Sequence, residues 1–209
     1  MNSASTNTKE SVEIRFIEPE SWFALLDWST WFPAQQPIEI DLGAGDGSFV
    51  TARARAHPDV NFVAVERLLG RARKIGKKAL RHGFSNLRVL RMESFYTVKW
   101  LIPAGSVSAF HLLFPDPWPK KKHHKHRIIR GEFLTTVERA LVSGGCFFAA
   151  TDHEEYFSEI LEAFHRRPGW KIHLMENQGW FPEKTDFELS FLSEGKKINR
   201  MKAIWNSIR

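Results

Sequence analysis

The segment Asp41-Leu42-Gly43-Ala44-Gly45-Asp46-Gly47 sets three glycines at alternate positions between an apolar run and a helical pattern. Glycine lets a backbone turn sharply and come close to a ligand. A dinucleotide loop of the form G-x-G-x-x-G needs a glycine where Ser48 stands, and a P-loop needs a Gly-Lys-Ser/Thr ending that this segment lacks. Asp46 inside the loop would repel a pyrophosphate. The pattern therefore suits a less anionic ligand. Glu66 ends the next apolar run, about 20 residues on, where a carboxylate accepts the hydroxyls of a ribose. Glu93 follows the third run and is placed to accept from an adenine amino group. A single acid at a strand end is usually only solvated. Three of them, Asp41, Glu66 and Glu93, beside a glycine loop fit a nucleoside that carries a cation. S-adenosylmethionine is such a molecule, since its ammonium and sulfonium both favour acidic surroundings.

A second chemical stretch runs Phe114-Pro115-Asp116-Pro117-Trp118-Pro119-Lys120-Lys121-Lys122-His123-His124-Lys125-His126-Arg127. Each proline fixes one backbone angle and pushes its predecessor toward extended geometry, so Asp116 and Trp118 are expected to be extended and rigidly held. Stiffening the unfolded chain also lowers the entropy lost in placing Asp116. A held acid next to an aromatic reads as a substrate site, with Trp118 either stacking on a base or wedging the loop. Six cations follow, Lys120, Lys121, Lys122, Lys125, Arg127 and Arg130, with no acid from Pro117 through Gly131. Such a run suits phosphate contacts whose affinity falls with salt. His123, His124 and His126 lack a helix-spaced pair with a nearby acid, so no metal site is expected and phosphate contact or solvation is preferred.

These residues need a scaffold that brings loop ends together. The patterns predict strands at Ile38–Leu42, Asn61–Val65, Leu87–Leu90, Val107–Phe114 and Cys146–Ala150. Helices are predicted at Ser48–Ala56, Leu68–Arg81 and Ile128–Leu141, and a further helix capped by Asp152 runs to about His165. Gly144-Gly145 separates helix from strand. Lys171–Met175, Phe187–Leu192 and Met201–Trp205 read as late strands. Strands alternating with helices make an α/β fold, a doubly wound and mostly parallel sheet with late antiparallel strands. Ligands of such sheets bind beyond the carboxyl ends of the strands. Asp41, Glu66, Glu93, Asp116 and Asp152 all fall at those ends.

The 209 residues suit one domain, and 43% apolar with 26% charged residues is ordinary globular usage. Thirty Lys and Arg against 24 Asp and Glu leave +6, which suits a polyanionic partner. One cysteine, Cys146, excludes an internal disulfide and a multi-cysteine metal site. It sits in an apolar run and reads as a small buried thiol. No run is long enough to span a membrane, and the polar N-terminus is no secretory signal, so the expectation is a soluble, cytoplasmic protein without a membrane partner. Monomer and homodimer stay equally open.

With these motifs the chain resembles the bacterial tRNA (guanine-N7)-methyltransferase family. The glycine loop resembles the motif of Rossmann-like, S-adenosylmethionine-dependent methyltransferases in general. Phe114 to Lys120 with His123-His124-Lys125 resembles the hallmark of this family, and Ala150-Thr151-Asp152 and Thr185-Asp186-Phe187-Glu188 resemble two more of its motifs. The likeness covers about residues 36–207. It implies a methyltransferase domain at 36–209 preceded by a partly flexible extension at 1–35, with S-adenosylmethionine as donor. The implied target is the guanosine at position 46 of the tRNA variable loop. It makes Asp41, Gly43, Gly45, Glu66, Glu93 and Asp116 cofactor-site residues. Lys120, Asp152, Thr185, Asp186, Phe187 and Glu188 become substrate contacts, and Asp116 the catalytic-site acid. Asp41 departs from the family, which often has Glu there, so its reach is shorter. Pro119 occupies a variable position.

Three other functions fit the residues less well. Amino-methylating enzymes carry Asp/Asn-Pro-Pro-Tyr where this chain has Asp116-Pro117-Trp118-Pro119. A non-catalytic RNA-binding module has no need of the glycines and three acids. A nicotinamide-dependent dehydrogenase is disfavoured by Ser48.

Overall fold

The computed structural model describes residues 16–17, 21, 23–129, 131–175 and 180–207. Arg130 and residues 1–15 of the N-terminal extension lie outside that set. In chain order the elements are β1 (Phe16–Ile17), α1 (Trp28–Trp31), β2 (Ile38–Leu42), α2 (Ser48–Ala56), β3 (Asn61–Val65) and α3 (Leu69–Arg81). Next come β4 (Leu87–Leu90), α4 (Ser94–Tyr96), a π-helical turn (Thr97–Leu101), β5 (Val107–Leu113) and a 3-10 helix (Lys121–His126). The chain ends with α5 (Gly131–Ala140), β6 (Leu141–Thr151), α6 (Glu154–His165), β7 (Trp170–Leu174), α7 (Asp186–Ser193) and β8 (Asn199–Trp205).

The strands form one sheet in the order β1-β4-β3-β2-β5-β6-β8-β7. The first six are parallel, and β8 runs antiparallel to both β6 and β7. This is the doubly wound, mostly parallel sheet with late antiparallel strands that the alternating pattern predicts. Central parallel strands are covered on both faces and so read as continuous apolar runs. β3, Asn-Phe-Val-Ala-Val, is buried at every position. Its Phe62 and Ala64 pack with Val50 and Ala54 of α2 and Ala72, Ile75 and Ala79 of α3. Its Val63 and Val65 face the other way, into a cluster that includes Phe133 and Val137 of α5 and Ile160 and Phe164 of α6. Leu26, Trp31 and Phe32, within the predicted extension, belong to that same cluster, and the Leu26 N–H donates to the Leu101 carbonyl at 2.8 Å.

The structure corrects four local expectations. α5 begins at Gly131, not Ile128. Leu141 belongs to β6, and the pairing skips from Val107–Leu141 to Ala109–Cys146, so Gly144 and Gly145 make a bulge inside the strand. Gly144 adopts φ +80°, which a side chain would strain. His153 caps α6 in place of Asp152, its Nδ1 accepting the Tyr156 N–H at 3.2 Å. Phe187–Leu192 is not a strand but most of α7. The alternation of Phe-Glu-Leu-Ser-Phe-Leu imitates a strand period, yet Thr185 accepts the Glu188 N–H at 2.9 Å and starts a helix. Thr185-x-x-Glu188 is the sequence signature of a helix N-terminus.

Candidate active site

Parallel strand order brings five loops to one edge of the sheet. The first is the glycine loop after β2. The Gly43 and Ala44 N–H groups both donate to the Val65 carbonyl at 2.9 Å, which pins the loop over the end of β3. Gly43 and Gly45 take φ of +81° and +60°, and a Cβ on either would meet nothing within 4 Å. Space for a ligand lies over both. Gly47 differs. A Cβ there would lie 2.7 Å from Cγ1 of Ile75, so this glycine serves the close packing of α3.

Glu66 is buried, and both of its oxygens already accept backbone N–H groups. Oε2 takes Gly45 at 3.0 Å and Oε1 takes Leu68 at 2.7 Å. A carboxylate oxygen has capacity beyond one bond, so this arrangement shapes the loop and still leaves acceptor sites. Asp41 is 4% exposed and has no hydrogen bond or ion pair from the described residues. Burial, reinforced by the charge of Glu66, pushes its carboxyl up to about 7. A buried acid without a partner is a costly feature, and an incoming cation relieves it. Asp46, in the same loop, is served instead by the protein. Burial pushes its carboxyl up, but hydrogen bonds from Ser48 and Lys78, with Lys74 beside them, outweigh burial and hold it well below the usual range.

Glu93 stands exposed after β4 and caps α4, accepting the N–H groups of Phe95 and Tyr96 at 2.9 and 2.7 Å. Asp116, after β5, is exposed and takes no hydrogen bond or ion pair from the described residues. The loop around it is strained, because Phe114 and Trp118 adopt φ of +54° and +44°. Trp118 is therefore left-handed rather than extended as the following proline predicts. Bulky residues hold such angles only where their surroundings fix them, and such strain gathers at functional sites. At Trp118 the fixing group is Arg127. Its Nε donates to the Pro117 carbonyl at 2.7 Å, its guanidinium lies 2.5 Å from Glu159, and it stacks 4.8 Å over Tyr156. The Trp118 ring rests against His126 at 5.0 Å and His123 at 5.9 Å.

Lys120 is exposed at the start of the 3-10 helix. His124, Glu155 and Glu159 place potential ligand atoms within 4.8 Å of one another. The Arg127 guanidinium already lies against both carboxylates, so the cluster is an ion-pair clasp joining the 3-10 segment to α6.

Asp152, after β6, is half-buried and 3.8 Å from Lys196. The segment from Thr185 to Glu188 comes to the glycine loop through Asp186, whose Oδ1 is 2.6 Å from the Ser48 hydroxyl, itself 2.5 Å from Asp46. Phe187 is half exposed and lies beside Phe191. Glu188 points the other way. It is 1% exposed, paired with the buried Arg200 at 2.6 Å and with Lys184 at 3.3 Å. The helix is thus anchored on β8. Under it, His111 on β5 bonds Glu39 at 2.8 Å, and Arg53 reaches both Glu39 and Glu183. Burial pushes the Glu39 carboxyl up, but the His111 bond and the Arg53 charge outweigh it and leave it lowered. Sequence reasoning counts Arg127 only as a cation, and misses Ser48 as a bridge and Arg200 as an anchor. No local pattern marks Arg200, which meets Glu188 only through the fold.

Residues 35–203 match the family model described as "Putative methyltransferase". The chain is 30% identical over 189 residues to the tRNA (guanine-N(7)-)-methyltransferase of Geobacter metallireducens, covering 88% of this chain and 89% of that protein. It is 33% identical over 207 residues to the protein of the same name from Aliivibrio salmonicida, covering 97% and 82%. Against the Thermotoga maritima protein of that name it is 33% identical over 172 residues, 82% of this chain, and spans only 55% of the longer relative. Among solved structures it is similar to the 16S rRNA methyltransferase KamB, with a TM-score of 0.66 at 19% identity, covering 88% and 95%. A SAM-dependent O-methyltransferase from Thermotoga maritima gives 0.56 at 17%, covering 87% and 64%. At those identities the structures speak for the fold alone.

Proposed function

The chain belongs to the tRNA (guanine-N7)-methyltransferase family, and from that premise we propose that it methylates N7 of guanosine 46 in the tRNA variable loop, with S-adenosylmethionine as donor. The observation that carries the reading is Asp41, a buried carboxylate without a protein partner beside open space over Gly43 and Gly45. It suits the ammonium of the donor's methionine portion. Glu66 suits the ribose hydroxyls, and Glu93 the adenine edge. When bound, S-adenosylmethionine supplies an electrophilic methyl group on a sulfonium.

Guanine N7 carries an in-plane lone pair and needs no base to free it. The task left to the chain is orientation, which can be worth roughly 7–11 kcal/mol. Asp116, held in its strained loop by Arg127, orients the guanine and stabilises the purine as it becomes cationic. Asp152, half-buried after β6, is the candidate acceptor for guanine N1 or its amino group, while Glu188, closed off by Arg200 and Lys184, holds the α7 segment that carries Phe187. Lys120 and its neighbours meet phosphate, and Phe187 offers an exposed ring for stacking. This chemistry calls for no metal. A tRNA substrate puts the reaction in the cytoplasm.

The test is methyl transfer from labelled S-adenosylmethionine to an unmodified tRNA transcript, followed by nucleoside analysis. N7-methylguanosine as the labelled product supports the proposal. A different methylated nucleoside, or none, contradicts it.

A further inference from the structure

From Arg67 through Met92 the chain carries nine Lys and Arg and no acid. That stretch holds more than the whole net charge, since elsewhere 24 acids face 21 Lys and Arg. Most of it is α3. One side of this helix, Ala72, Ile75 and Ala79, is fully buried. Arg71, Arg73, Lys74, Lys77 and Arg81 are exposed. Lys74 and Lys78 bind Asp46 of the glycine loop. Arg73, Lys77 and Arg81 follow at four-residue steps and have no ion pair or hydrogen bond from the described residues.

Like charges four apart on a helix repel one another, and Arg71, in a first turn without an acid, opposes the helix dipole. A merely solvated face relieves this by interspersing acids, and α3 has none. The arrangement asks for an external polyanion. Its position says which. α3 starts just past Glu66, at the end of β3, while the Lys120–Lys125 segment follows β5. The sheet order β3-β2-β5 sets the glycine loop between the two basic surfaces. Lys74 and Lys78 tie this helix to Asp46 of the glycine loop, and the Arg73–Lys77–Arg81 ridge leads from there away from the cleft.

We propose that the Arg73–Lys77–Arg81 ridge is a second docking surface for tRNA, gripping the sugar-phosphate backbone of a helical arm away from the target loop. The ridge spans about 12 Å along the helix. The proposal rests on the tRNA reading above and adds a surface outside the cofactor cleft.

The experiment compares the wild type with a triple variant, Arg73→Gln, Lys77→Gln and Arg81→Gln. These side chains touch no catalytic group, so melting temperature and S-adenosylmethionine affinity should be unchanged. Affinity for intact tRNA should fall tenfold or more near physiological salt. The slope of log affinity against log salt should flatten by about two, at about 0.7–0.9 for each phosphate no longer neutralised. A short stem-loop carrying only the variable arm should be methylated equally by both proteins. An unchanged tRNA affinity and slope in an active background overturns this proposal alone. So does a variant that keeps tRNA affinity but loses binding to phosphatidylserine vesicles, which assigns the ridge to a membrane surface. A wild type that neither binds nor methylates tRNA overturns the proposal together with the function it rests on.

Discussion

Arg127 donates its Nε–H to the Pro117 carbonyl at 2.7 Å, so a buried guanidinium holds the backbone of the loop that carries Asp116. The same side chain is braced by Glu159 and Tyr156 of α6. Arg127→Lys keeps the charge but loses the planar fork. A misplacement of about 1 Å can cost on the order of 100-fold in rate. The expected result is a kcat lowered by about 10- to 100-fold, with S-adenosylmethionine affinity within about twofold. Stopped methylation assays alongside calorimetric titration check it. An unchanged kcat shows that the loop holds itself.

Asp116 has no partner among the described residues, so little stability rides on it. Asp116→Asn removes the charge but keeps the shape. Its melting temperature should match the wild type, while kcat falls by about 100-fold or more, the scale of removing one preorganised electrostatic group. Unchanged turnover would remove Asp116 from the mechanism.

Asp41 gives a pH dependence with a defined sign. Its folded pKa of about 7 lies above the ordinary value of 3.8. Its carboxyl therefore favours folding in acid, and that contribution is lost as pH rises from about 4 to about 7. In the ligand-free protein Asp41→Asn should raise the melting temperature at pH 8 and leave it unchanged at pH 4, relieving up to about 4 kcal/mol. Cofactor binding runs the opposite way, because the ammonium selects the ionised carboxylate. Wild-type affinity should weaken toward tenfold per pH unit below 7, and the variant should bind weakly without that slope. Titration calorimetry from pH 5 to 8 decides it.

Glu188 and Arg200 form a pair almost wholly out of solvent. Removing one partner strands the other's charge, so Glu188→Ala should cost about 3–5 kcal/mol in urea unfolding. The double change Glu188→Gln with Arg200→Met removes both charges and should recover most of that stability. If Glu188 also touches guanine, the double variant stays inactive. Recovered activity would leave Glu188 only the task of anchoring α7.

Much of this is legible in the chain. Ile38–Leu42, Ser48–Ala56, Asn61–Val65 and Leu87–Leu90 come out with the predicted bounds, because each has an unbroken period and a clear turn at its end. Acids at strand ends follow from the fold class. What is not legible depends on distant partners. Glu188 reads as a substrate contact until β8 brings Arg200 to it. The left-handed angle of Trp118 opposes the local preference before a proline and is held by Arg127 and the histidines. α7 carries two conflicting local signals, and the Thr185–Glu188 cap prevails over the period-two alternation that predicts a strand.

Methyl transfer is assigned to one atom of one nucleotide, and chemical mapping reads that atom. Unmodified tRNA is incubated with the protein and S-adenosylmethionine, then treated with borohydride and aniline, which cleave the chain at N7-methylguanosine. Cleavage is expected at position 46 and is expected to be absent from a transcript in which that guanosine is replaced. Cleavage at another guanosine, or an intact chain after full methyl incorporation, would contradict that assignment.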